Sequence, residues 1–147
     1  KLILILLFMK KNERVLIVAV GLLMLSILLM ILIIPGVYTK SLQNAHNLGA
    51  VFGISVVIVI HLIIFFTYIS LIKSIRRKSE KGKSVYIILG VLLMLLGLII
   101  LDGAFSFHDN KSLLYVSFLM FTTVFSDFVA SLLTFIAIFL KSPKRIS

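Results

Sequence analysis

Four long apolar runs limit this chain to very few folds. They cover residues 15–34, 48–72, 85–101 and 113–140. A transmembrane helix needs roughly 20 consecutive apolar residues, so each run is a candidate span. Composition agrees, since the 147 residues are 61% hydrophobic and only 14% charged, whereas a soluble domain carries roughly a quarter charged residues. We therefore predict one all-α integral membrane domain over residues 1–147, a bundle of four transmembrane helices.

Short polar segments separate the four runs and mark where the predicted helices end. Pro35 and Gly36 follow the first run and predict the end of its helix, because proline resists helix continuation and glycine tolerates a turn. Asp102 and Gly103 follow the third run and predict the start of a loop. Since these loops are short, we expect helices adjacent in sequence to pack as antiparallel neighbours.

Basic residues collect at alternate ends of the predicted spans. The loop at 73–84 holds six of them, the N-terminal and C-terminal flanks hold three each, and Lys40 and Lys111 stand alone in the other two loops. Excess Lys and Arg marks the cytoplasmic side of short loops. We predict cytoplasmic termini in a bacterial inner membrane, with the 73–84 loop facing lipid headgroups or a partner through Lys73, Arg76, Arg77, Lys78, Lys81 and Lys83.

The basic residues that form this orientation signal account for the formal net charge of +10. Anionic lipid headgroups are the expected counter-charge, and nucleic acid is not an expected partner. The other expected partners are membrane protein subunits or further copies of this chain.

His61 and Asp127 are ionisable residues inside predicted spans. Counted inward from residues 48 and 113, each lies about 20 Å along its helix, so the two side chains have similar depth. Such residues face protein or water rather than lipid. One interpretation is a proton-carrying or ion-coordinating pair in a transport path. The other, which we favour because no wider polar pathway is visible, is a hydrogen bond that fixes helix packing.

Small residues recur at helical spacing and predict the faces on which helices pack. Glycine, alanine and threonine let helix backbones approach closely, and threonine can also bond across the seam. The candidate packing residues are Gly49, Gly53, Gly90, Gly97, Thr123, Ala130 and Thr134.

Sequence motifs for catalysis and cofactors are missing. There is no cysteine, no zinc-protease or serine-hydrolase motif and no phosphate-binding glycine loop. We predict no enzyme activity and no cofactor. His46 and His108 leave a weak possibility of a metal site at the rim opposite the basic loop.

Three functions fit these features. The leading hypothesis is a non-catalytic accessory or structural subunit of a larger membrane complex. The alternative is a small oligomeric proton- or ion-coupled transporter or channel that uses Asp127 and His61. A membrane immunity or protection protein is a weaker third hypothesis.

Overall fold

A computed structural model describes residues 11–41, 48–76, 83–108 and 111–140. These residues form four α-helices, and a single 3-10 turn at Lys111–Leu113 precedes the last of them. The helices are α1 (Lys11–Ser41), α2 (Leu48–Arg76), α3 (Lys83–His108) and α4 (Leu114–Phe139).

All four helices are long and apolar enough to cross a membrane. This confirms the prediction of an all-helical chain with four candidate spans, and it indicates an integral membrane protein.

Three helices extend further than the apolar runs predicted. α1 continues through Pro35 to Ser41, so the prediction that Pro35 ends it is wrong. α3 likewise contains Asp102 and Gly103 and ends at His108. Proline removes one backbone N–H, and membrane helices tolerate that loss. The apolar runs mark the part of each helix that suits the hydrocarbon of a membrane. Backbone hydrogen bonds continue beyond these runs, so the helices are longer than the runs.

The helices alternate in direction. Glu13 near the start of α1 pairs with Arg76 at the end of α2, so these two helices are antiparallel. The contacts of α4 with α3, Ser117 on Ala104 and Ser131 on Gly90, run in antiparallel register. So do the contacts of α4 with α1, at Leu22 and at Gly36. We call the end of the bundle with Glu13 and Arg76 the basic end and the other the opposite end.

The helix α4 is the centre of the bundle. It packs along both α1 and α3, and α1 also packs along α2. The backbones of α2 and α3 hardly approach each other, so the expectation that all sequence neighbours pack together is wrong for this pair. As a result α2 is the least buried helix, with 17% of its span buried against 44% for α4.

Two apolar clusters fill the interior, one in each half of the bundle. Near the basic end, Tyr68 and Tyr86 are the largest fully buried side chains, packed with leucines and isoleucines. The other cluster, in the opposite half, includes Met30 and Met120. Between the clusters lies a layer of buried polar side chains, and this layer is the candidate site.

Candidate functional site

The polar layer joins three helices through three side chains. Ser26 comes from α1, His61 from α2 and Asp127 from α4, and all three have zero solvent exposure. Their positions follow from the antiparallel packing of α1 on α4, which brings the middle of both helices to one level. α2 reaches α4 at this level through its histidine side chain.

The His61–Asp127 contact is direct. Nε2 of His61 lies 3.0 Å from Oδ2 of Asp127. The structure therefore brings together the two residues that the sequence placed at equal depth. Because α2 and α4 have few backbone contacts, the long imidazole side chain makes the connection.

A backbone carbonyl fixes the hydrogen on the other imidazole nitrogen. Nδ1 of His61 lies 2.9 Å from the carbonyl oxygen of Val57. A carbonyl only accepts, so Nδ1 must carry a hydrogen and donate it. Nε2 then either donates to a carboxylate as an imidazolium, or accepts from a protonated carboxyl group. In both arrangements one proton lies between His61 and Asp127, and the pair has no net charge.

Ser26 completes the network and was missed by the sequence analysis. Its Oγ donates to Oδ1 of Asp127 at 2.7 Å, so both carboxylate oxygens have a partner. Ser26 is the one polar side chain in the apolar run at 15–34, and that isolation was the signal that could have found it.

The order of groups does not suit nucleophilic catalysis. In a serine hydrolase the imidazole accepts the serine proton and the carboxylate orients the imidazole. Here Ser26 donates to the carboxylate, and the imidazole of His61 contacts Asp127 and a backbone carbonyl. No activated hydroxyl results from this arrangement.

Serine hydroxyls on α4 add three bonds to neighbouring backbones. Ser126 donates to the carbonyl of Leu22 on α1 at 2.9 Å. Ser131 and Ser117 donate to carbonyls of Gly90 and Ala104 on α3, at 2.7 and 2.9 Å. Within the described ranges, no buried side-chain polar atom lacks a hydrogen-bond partner.

The predicted packing residues of α4 lie inside the bundle. Thr123, Ala130 and Thr134 are all fully buried. Thr134 donates to the carbonyl of Ala130 at 2.7 Å, so its oxygen is left to accept from the hydroxyl of Tyr68 on α2. This second link between α2 and α4 lies two turns from His61 and was not predicted.

The predicted packing glycines divide into two groups. Gly90 and Gly97 face α4, where an added Cβ would lie 2.7 Å from Cζ of Phe135 and 3.5 Å from Cε2 of Phe128, respectively. Around Gly49 and Gly53 an added Cβ would meet nothing within 4 Å. Among the described residues, helix packing therefore uses Gly90 and Gly97 and leaves Gly49 and Gly53 of α2 unused.

Gly36, which was predicted to follow the end of the first helix, is a close-packing residue within α1. An added Cβ there would clash with the hydroxyl of Tyr115 and lie 2.6 Å from its Cζ. The aromatic ring lies against the bare backbone of α1, which explains a glycine directly after Pro35.

Only part of the basic segment lies within the described residues. Lys73 and Arg76 belong to the last turn of α2 rather than to a loop, and Lys83 begins α3. Arg77, Lys78 and Lys81 lie outside the described residues.

The structure describes one of the two histidines predicted at the rim, His108. His46 lies outside the described residues. His108 is exposed at the end of α3, where its ring meets Phe121 edge-on with centroids 6.5 Å apart. Over the four described ranges, no three histidine or carboxylate side chains are grouped as metal ligands.

Comparison with known proteins gives no relative from which to argue. No family model, no curated protein and no solved structure matches this chain. The function of this chain must therefore be inferred from its own residues.

Proposed function

We propose that this protein is a non-catalytic accessory or structural subunit of a larger membrane complex. The observation that supports the proposal is the complete internal use of the polar layer. Ser26, His61 and Asp127 are fully buried and bonded to one another and to the backbone. A polar network used in this way ties helices together and offers no polar group to a substrate.

The cost of burying these groups is consistent with a structural role. An isolated charge at mid-membrane costs at least about 2.5 kcal/mol on insertion scales. The single proton held by His61 and Asp127 removes net charge from the layer. Interhelical hydrogen bonds contribute only about 0.6 kcal/mol on average, so the network serves mainly to fix which helix faces meet.

The outer face of α2 supports docking to another membrane protein. Phe52, Val59, Ile63 and Phe66 are exposed along it. Gly49 is also exposed and has open space around it. A partner helix can approach closely at such a glycine, and the few contacts of α2 within the chain leave this face open to one.

The proposed orientation places the basic end in the cytoplasm. Lys11, Arg14, Lys73 and Arg76 all lie at that end of the helices, where the positive-inside rule expects them. Anionic headgroups of a bacterial inner membrane would face them.

Proton- or ion-coupled transport is the second candidate, and a specific observation favours it. The His61–Asp127 contact holds one proton at mid-depth, which is the chemistry of a proton relay. Met30 and Val57, each one helical turn from a member of the polar layer, line a groove that opens on the bundle surface. Proton access from this side would require the side chains there to move.

Purification from the native membrane in mild detergent, followed by mass spectrometry, tests the first proposal. We expect larger membrane subunits to co-purify in a fixed ratio, and Phe66→Glu on the exposed face of α2 to release them. A matched exposed site on α4, Phe125→Glu, serves as the control. A protein that runs alone as a homo-oligomer would contradict the subunit proposal.

Proton flux into liposomes tests the second candidate. Transport through the polar layer predicts flux that Asp127→Asn abolishes and that Asp102→Asn, at an exposed residue, leaves unchanged. Absence of flux in the unaltered protein, or equal flux in both variants, would rule that mechanism out.

A further inference from the structure

The gap between α2 and α3 forms a groove in the opposite half of the bundle. Its volume is about 300 Å³, at the lower end of the range for small-ligand sites, roughly 300 to 1,000 Å³. It exists because these two helices keep their backbones apart, and its lining includes none of Ser26, His61 and Asp127.

The groove runs along the helices. On α2 it is lined from Ala50 to Val57, and on α3 from Ile99 to Phe107. At 1.5 Å per residue these stretches measure about 10 and 12 Å. An apolar chain that lies parallel to the helices can contact the lining of both helices along this length.

Exposure distinguishes the mouth of the groove from its floor. Gly53, Ile99 and Ser106 are exposed at the mouth, whereas Met30 and Met120 are buried at the floor. Because the lining belongs to membrane-spanning helices, the mouth faces the hydrocarbon of the bilayer. Methionine side chains adapt their shape readily, which suits a floor that receives a flexible chain.

The lining has no polar side chain that can donate a hydrogen bond to a ligand. Ser106 is its one hydroxyl residue, and because its Oγ donates to the carbonyl of Asp102 at 3.0 Å, it can only accept. The remaining lining is aliphatic, aromatic, thioether or glycine. Lys111, three residues beyond the end of α3, is exposed at the same end of the bundle, where the phosphate of a phospholipid would lie.

We propose that this groove binds one acyl chain of a membrane phospholipid, with the headgroup at the opposite end of the bundle. The proposal does not depend on the subunit role, because it concerns a different surface from the exposed face of α2. The occupant is apolar, as the lining of the groove is, and the bilayer supplies it at the mouth.

The absence of tryptophan from the sequence makes a direct test possible. Phe107→Trp places a single fluorophore in the groove, and Phe66→Trp places one on the exposed face of α2. Both proteins are reconstituted with phospholipid that carries brominated acyl chains, which quench tryptophan on contact. We expect half-maximal quenching of Phe107→Trp at a mole fraction of brominated lipid at least threefold lower than for Phe66→Trp.

Filling the groove provides the matched comparison. Gly53→Leu adds a side chain where a Cβ meets nothing within 4 Å, and Gly21→Leu does the same on α1, away from the groove. We expect Gly53→Leu to move the quenching curve of Phe107→Trp to that of Phe66→Trp, and Gly21→Leu to leave it unchanged. Native mass spectrometry should show one retained phospholipid per chain, lost in Gly53→Leu.

Three results would overturn the proposal. The quenching curves of the two tryptophan variants could coincide in the otherwise unaltered protein. A second copy could fill the groove, seen as a dimer that Gly53→Leu dissociates. A partner protein could fill it instead, seen as a co-purifying chain that Gly53→Leu releases and Gly21→Leu retains.

Discussion

Asp127 joins three helices through one carboxylate group. One oxygen accepts from Ser26 on α1, and the other contacts His61 on α2. Since Nδ1 of His61 is held by the carbonyl of Val57, the imidazole cannot turn to another partner without leaving that bond. Any replacement at 127 must therefore satisfy a serine donor and the Nε2 atom together.

Asparagine meets this requirement, and leucine does not. In Asp127→Asn, the amide oxygen accepts from Ser26 and the amide nitrogen donates to Nε2, so we expect the free energy of unfolding to change by less than about 1 kcal/mol. Asp127→Leu leaves both partners unsatisfied and should cost about 1–3 kcal/mol. Unfolding titrations in mixed detergent measure both.

The exposed residue Asp102 provides the control for these variants. Asp102→Leu should leave stability within about 0.5 kcal/mol of the unaltered protein. Equal stability of Asp127→Asn and Asp127→Leu would show that the hydrogen bonds of the polar layer contribute nothing to folding.

Pairs of helices meet where a glycine on one receives an aromatic ring from another. Gly36 on α1 receives Tyr115, and Gly90 on α3 receives Phe135, both from α4. The Gly90 carbonyl also accepts a hydrogen bond from Ser131, so two residues of α4 contact that glycine. The position of α4 between two helices thus depends on these glycines, which have no side chain, as much as on the aromatic rings that pack against them.

Gly90→Ala should loosen the α3–α4 pair. Its Cβ would lie 2.7 Å from the tip of the Phe135 ring, and overpacking of this kind costs about 1–3 kcal/mol. Phe135→Leu removes the ring and should restore part of the loss in the double variant. A double-mutant cycle on the free energy of unfolding measures this coupling.

Gly21→Ala is the matched helical control, because an added Cβ there meets nothing within 4 Å. We expect no loss and a gain of up to about 1 kcal/mol from the better helix propensity of alanine. Destabilisation of the same size in Gly21→Ala and Gly90→Ala would place the effect in the helix itself rather than in the contact with Phe135.

The whole bundle is asymmetric about its central helix. α1 and α3 flank α4, whereas α2 packs on α1 and reaches α4 through His61 and Tyr68. This arrangement leaves α2 with a large exposed face and opens the groove between α2 and α3. The proposed partner surface and the proposed lipid site therefore both follow from the way in which α2 packs in the bundle.

Membrane orientation is testable on the whole molecule because the sequence has no cysteine. Single substitutions Lys81→Cys and Lys111→Cys introduce one thiol each, on the two sides predicted by the positive-inside rule. A membrane-impermeant maleimide added to intact cells should label Lys111→Cys and label Lys81→Cys only after lysis. The reverse pattern would place the basic end outside.

The apolar runs show what local composition can and cannot predict. The runs predicted four helices because spanning length depends only on local composition. The runs predicted helix ends at Pro35 and Asp102, where α1 and α3 in fact continue. Composition misses this because backbone hydrogen bonds extend beyond the apolar residues. The depth of His61 and Asp127 was also readable, since helical rise is constant.

The sequence by itself determined that four apolar helices form, that polar residues at 61 and 127 share a depth, and where basic charge collects, because these properties are local and additive along the chain. Only the tertiary structure decided that Ser26 joins the pair, that Gly90 rather than Gly53 packs against a neighbour, and that α2 and α3 separate to leave a groove. These depend on the rotation of each helix about its axis and on the distances between axes, which are set by all the side chains in contact at once.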